Sequence, residues 1–159
     1  MTIVIIDMPD DVRLQQCAAE ACVTYWKRDF PLDTDQWYLD LYEHSLASTG
    51  LPIVVVAVND GEFVGTASLI VDDELPDATE SGPWLAAVLV SESHRHKGIG
   101  SALVRAVEER AAKLGIDEIF LYTEHGMDWY QSMGWQYIRT AQLGDHDVSV
   151  MTRSLILNS

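Results

Sequence analysis

The chain has 159 residues, of which 48% are apolar, and this is enough to build one domain around its own core. Its formal net charge of −15 opposes contact with nucleic acid or an anionic membrane surface. The longest apolar runs, 53–58 and 84–90, have the length of strands and fall well short of the roughly 18 residues of a membrane span.

Thr2–Ile6 is β-branched and apolar and is expected to form a first strand. Met1–Asp7 has no basic start and soon meets an acid, so no secretory leader is expected and the setting is read as cytoplasmic. Asp10 or Asp11 is placed to cap a helix running to about Trp26, with Pro31 beyond its end. Cys17 and Cys22 lie five apart on that helix, on different faces. They are not expected to pair, and no His or Cys stands at metal-ligand spacing from them. A second helix starts at Asp33 or Thr34 and runs through Ser48 to Gly50. Ile53–Val58 and Glu62–Val71 flank Asn59-Asp60-Gly61, a hairpin signal. Asp72–Pro83 is read as a loop rich in carboxylates. Trp84–Val90 is apolar on both faces, as a central strand is.

A helix follows, with Ile99, Leu103, Val107, Ala111 and Leu114 at near-helical spacing, and Gly115 stops it. Ile119–Thr123 is a buried strand and Gly126–Met133 a short helix ended by Gly134. Trp135–Ala141 and Val148–Leu155 form a last pair, joined by a loop containing Gly144, Asp145, His146 and Asp147. The order βααβββαβαββ implies a mixed α/β fold with one central sheet flanked by helices, organised as a single domain over 1–159.

Between the central strand and the helix lies the segment that carries chemistry. The chain has only ten Lys and Arg, yet Arg95 and Lys97 share one short loop, with His94 and His96 interleaved. A strand, a glycine-bearing loop and a helix start together make an anion site, because the first N–H groups of the helix are free and its dipole is positive there. Gly98 and Gly100 let backbone approach an anion without an intervening side chain. Neither the Walker pattern nor a third glycine of G-x-G-x-x-G is present.

What does match is Val90-x-x-x-x-Arg95-x-x-Gly98-x-Gly100, which resembles the coenzyme A motif of the GNAT acetyltransferase family. The family's second signature is matched further along by Tyr130-Gln131-Ser132-Met133-Gly134-Trp135. In element order the resemblance extends from about Ile53 to Leu155. It implies the GNAT acyl-CoA N-acyltransferase fold, acetyl-CoA as cosubstrate and no metal. By the same resemblance, strands 84–90 and 119–123 splay at their C-terminal ends. The pantetheine arm then pairs with backbone at Val88, Leu89 and Val90, and the pyrophosphate rests on the N–H groups of His96, Lys97, Gly98, Ile99, Gly100 and Ser101, with Arg95 and Lys97 adding charge.

Acyl transfer from a thioester to an amine needs a neutral amine, a stabilised oxyanion and a thiolate that can leave. Backbone N–H near Val88–Val90 is the expected oxyanion donor. Tyr130 matches the family's proton donor to the departing sulfur. The base is where this chain departs from the pattern: strand 84–90 holds no carboxylate, and Thr123 stands where many members have asparagine. Glu124 is the catalytic candidate, acting through a water, while Glu80 and His125 are weaker choices that fit solvated surface positions.

The implied function is acetyl transfer to a primary amine of a small-molecule or peptidic acceptor. Acids at Asp33 and Asp35, from Asp72 to Glu80, and at Asp145 and Asp147 favour a cationic one. The alternative is a catalytically silent acyl-CoA-binding sensor. No nucleic acid or membrane partner is expected, and the assembly is read as a monomer or homodimer.

Overall fold

The computed structural model describes residues 2–156; the ends of the expected 1–159 domain, at Met1 and at 157–159, lie outside them. One seven-stranded sheet is built from β1 (Ile3–Asp7), β2 (Ile53–Asn59), β3 (Glu62–Ile70), β4 (Trp84–Val90), β5 (Glu118–Thr123), β6 (Gln136–Leu143) and β7 (His146–Ser154). The helices are α1 (Val12–Tyr25), α2 (Asp35–Ala47), α3 (Ile99–Lys113) and α4 (Met127–Ser132). In space the strands run β1-β2-β3-β4-β5-β7-β6.

The period of two in β2 explains how one sheet supports two cores. Val54, Val56 and Val58 face α1 and α2, in a core with Ala18, Cys22 and Tyr42. Ile53, Val55 and Ala57 face the other way, in a core with Leu103, Val104, Val107 and Trp135. The two cores cover the central strands on both faces, as the apolar runs require.

The two long helices near the N-terminus begin where an oxygen-bearing side chain is available. Asp11 accepts from Leu14 N at 3.1 Å and Thr34 from Trp37 N at 3.3 Å. Cys17 is exposed and Cys22 buried, so the two thiols are apart as expected.

Three boundaries differ from the sequence reading. A single 3-10 turn, Glu92–His94, precedes the cationic loop. Trp135 is outside β6, because its N–H donates to Tyr130 O at 3.1 Å and its side chain is buried. The last loop shrinks to Gly144-Asp145, since Leu143 already pairs with His146 across the hairpin. Two-residue connections match strand twist, so the ladder extends to its limit there.

The central irregularity lies between β4 and β5. These parallel strands share one register position, Trp84↔Phe120. β3 and β4 meanwhile stay paired along their length, but the register jumps from Ser68↔Ala86 to Thr66↔Leu89. The extra residue is a bulge at Ala87, whose φ is +55°, and bulges bend the strand that carries them. The splay between the two strands is therefore present, and it opens the site.

Candidate active site

A cleft of about 650 Å³ opens beside the bulge. Ala87 and Val88 line one side, and Thr123, Glu124, Gly126, Trp129 and Tyr130 the other. Neither Ala87 nor Val88 has a register partner on β3, so the bulge turns backbone away from the ladder toward the cleft. Leu89 and Val90 pair with Thr66 and Gly65. Val88 thus faces the cleft, whereas Leu89 is buried in the sheet.

Beyond β4 the chain reaches the predicted anion loop. His96 and Gly98 take positive φ, +63° and +80°, and Gly98 is the N-cap of α3 with no side chain bonded to the helix start. A helix leaves its first four N–H groups without partners, so Ile99, Gly100 and Ser101 present free donors in this first turn. A side chain built on Gly98 would meet nothing within 4 Å, so the space in front of the turn is open. Lys97 is exposed at its edge, and the Ile99 side chain is buried in the core and offers only backbone.

Arg95 does something the sequence did not suggest. Its Nε donates to Val90 O at 3.0 Å, and its guanidinium carbon lies 5.7 Å above the centre of the Tyr25 ring. The side chain thereby joins the loop to the end of α1.

Tyr130 is positioned by α4, with Tyr130 N donating to Gly126 O at 3.0 Å. Its ring meets those of Trp129 and Trp135 edge to face, with centroids 4.8 Å and 5.9 Å apart. Burial pushes its hydroxyl pKa well above the ordinary value, with a smaller contribution from Tyr25. The phenol is therefore held protonated, as a donor must be. Packing and cleft exposure coexist in this residue.

Glu124 is not free. Arg28 donates to its Oε2, His125 Nε2 stands 3.4 Å from Oε1, and His146 Nε2 stands 3.8 Å from Oε2. Asp29 joins the group at 3.2 Å from His146 Nε2. Thr123, in the place of the family's asparagine, accepts from Gly126 N at 2.9 Å and so ties the start of α4 to the end of β5. His125 is exposed at the mouth, as expected. Glu80 is neither base nor solvated surface. Arg139 grips it at 2.8 and 2.9 Å, and that bidentate bond lowers its pKa.

Six carboxylates line the cleft: Asp29, Asp33, Asp72, Asp73, Glu74 and Glu124. Asp35, Asp77, Asp145 and Asp147, also singled out from the sequence, are not among its lining residues. Burial raises Asp73 well above the carboxylate range, and Glu74, Asp72 and Asp33 add to the rise. Asp33 is raised too, by burial and then by Glu74. Aromatic side chains complete the wall: Trp26, Phe30, Trp37, Tyr38 and Tyr122. Sequence reasoning missed these and Asp29, because each sits in a segment whose own periodicity marks it simply as helix, turn or strand.

Among the described residues no helix is long and apolar enough to cross a membrane. Similarity to known proteins agrees with the geometry. Against an amino-acid acetyltransferase of Pasteurella multocida the chain is 34% identical over 68 residues, 43% of this chain and 16% of that protein. Against one of Pseudomonas paraeruginosa it is 34% identical over 81 residues, 51% and 18% respectively. The match thus spans less than a fifth of these relatives' length.

Among solved structures, an aminoglycoside 6′-N-acetyltransferase complexed with coenzyme A superposes with a TM-score of 0.76. Its identity is 20%, over 100% of this chain and 99% of that one. A PaiA N-acetyltransferase of Thermoplasma acidophilum, also with coenzyme A, gives 0.71 at 18% identity over 97% and 99%. The profile of the acetyltransferase (GNAT) family matches residues 19–135, which include the bulged strand, the anion loop and Tyr130. The chain belongs to the GNAT acetyltransferase family.

Proposed function

We propose that this chain moves the acetyl group of acetyl-coenzyme A to a primary amine of a small or peptidic, cationic acceptor. The observation that carries the reading is the convergence of three features on one path. These are an uncapped helix start with open space before it, the unpaired bulge at Ala87-Val88, and a protonated Tyr130 that lines the same cleft as the bulge. The residues fit an acyl-CoA, with the first turn of α3 and Lys97 for its diphosphate and the edge of β4 for its pantetheine amides. The bound donor supplies an activated acyl carbon in a thioester.

The remaining chemistry belongs to the protein. Backbone N–H at the bulge stabilises charge developing on the carbonyl oxygen in this reading. Tyr130 hydrogen-bonds the departing sulfur, and burial keeps its hydroxyl protonated for that role. Glu124 is the proposed base, acting through a water.

Amines are the acceptors of the relatives that name one, amino acids and aminoglycosides. The acidic wall supports a cationic acceptor here, because a cleft lined by one sign of charge concentrates the other. The same charges oppose deprotonation of a bound ammonium. An acceptor with two or more amines resolves the conflict, one amine bound by the wall and another presented to the donor.

The test is release of coenzyme A thiol from acetyl-CoA across amino acids, polyamines, aminoglycosides and basic peptides. Turnover with a multiply cationic amine is expected. Tight acetyl-CoA binding without turnover on any amine would instead identify a silent binding domain.

A further inference from the structure

A molecule that rests an anionic end on the first turn of α3 and presents a carbonyl to Val88 and Tyr130 must pass between the C-terminal ends of β4 and β5. Backbone does not fill that gap, because the strands share a single register position near their other ends. An indole borders it. The tie between Gly126 and Thr123 fixes the start of α4 at the end of β5. From α4, Trp129 reaches across to α3. A Cβ built on Gly100 would lie 3.3 Å from both Cζ2 and Cη2 of this ring and 3.6 Å from Val90 Cγ2. The six-membered ring therefore occupies the corner between the phosphate loop and the end of β4. The same residue lines the cleft beside Tyr130. It is also 39% exposed, so much of a large apolar surface is left uncovered by the fold.

We propose that Trp129 is a binding contact of the pantetheine arm, the surface along which the arm lies between the phosphate loop and the cleft. This rests on the acetyl-CoA reading above. It also gives Gly100 a second reason to lack a side chain. Gly100 has ordinary helical backbone, and its bare Cα is what admits the ring.

The experiment compares two ligands by calorimetry: coenzyme A, and 3′-phospho-ADP, which has the same nucleotide and diphosphate but no arm. Trp129→Ala should weaken coenzyme A about tenfold or more, the usual loss for a buried aromatic contact, and leave the arm-less nucleotide unchanged. Trp129→Phe, whose ring is too short to reach Gly100, should fall between and secures the result if the alanine variant folds poorly. Coenzyme A, but not 3′-phospho-ADP, should also change the part of the tryptophan emission that Trp129→Phe removes. Equal weakening of both ligands, or no weakening of coenzyme A in the folded variants, overturns the proposal while leaving the donor assignment intact. Failure of the wild-type chain to bind coenzyme A overturns the donor assignment and this contact with it.

Discussion

Tyr130 and Gly98 are the residues at which chemistry and local structure meet most directly. Removing only the hydroxyl, Tyr130→Phe keeps the edge-to-face contacts with Trp129 and Trp135. If the hydroxyl assists thiolate departure, kcat should fall roughly 10²–10⁴-fold with acetyl-CoA affinity little changed. Since burial raises its pKa above the ordinary value of about 10, Tyr130 should stay protonated through the neutral and mildly alkaline range. An alkaline fall in kcat centred below about pH 9 that vanished in Tyr130→Phe would contradict this assignment. Gly98 is the cleaner probe of the phosphate site. At φ +80° any L side chain is strained, but its space is open, so Gly98→Val should abolish coenzyme A binding by calorimetry in a protein that still folds. Gly100→Val answers a different question, because its side chain would collide with Trp129. Sequence alone ranked the two glycines equally, since the indole comes from a helix some thirty residues away.

At the scale of elements, the loop between β3 and β4 behaves as a pinned wall. Leu75 is buried in the core, Tyr122 donates its hydroxyl to Asp73 O at 3.0 Å, and Arg139 holds Glu80 by two bonds. The buried Leu75 and two anchors from other elements, Tyr122 of β5 and Arg139 of β6, thus set where Asp72, Asp73 and Glu74 face the cleft. Arg139→Met should release one of them. The acceptor KM should rise, with kcat and coenzyme A affinity largely kept, and the double exchange Arg139→Glu with Glu80→Arg should recover part of the loss. A fall in kcat alone would count against a wall that positions the acceptor. The contribution to stability has a definite pH window. Glu80 is lowered in the folded state, so the pair contributes fully above the unfolded value of about 4.3 and fades as pH falls through the lower folded one. For a partly exposed pair that contribution is about 1 kcal/mol or less. None of these anchors was legible in the sequence, which showed only a carboxylate-rich loop and an arginine in a strand.

Over the whole molecule, charge is distributed unevenly in a way that matters for the acceptor. Asp73, Asp33, Asp72 and Glu74 share one wall; Asp73 is raised by burial and then by Glu74, Asp72 and Asp33, and Asp33 by burial and then by Glu74. A carboxylate raised in the folded state favours folding below its unfolded pKa and costs stability once pH passes its folded one. Asp73→Asn should therefore raise Tm at neutral pH, by about 2–4 °C for each kcal/mol of relieved repulsion. The gain should vanish in acid, and affinity for a polycationic amine should drop. Screening acts within about 8 Å at physiological salt, so kcat/KM for a polycation should decline with ionic strength more steeply than for a monoamine. Identical salt response for both acceptors would reduce the wall to a solubility feature.

The chain's own pattern was sufficient for its order of elements, the buried strands, the helix starts to within one residue of the caps at Asp11 and Thr34, and the two motifs around Gly98 and Tyr130. Each depends on residues close together along the chain, where periodicity, capping and turn chemistry act. Tertiary structure decided what those motifs face. It brought the bulge at Ala87 and Tyr130 to one cleft, turned Arg95 toward Tyr25, engaged Glu124 with Arg28, and laid Trp129 against Gly100. These are contacts between distant segments, set by how two cores pack on one splayed sheet, and no local spacing encodes them.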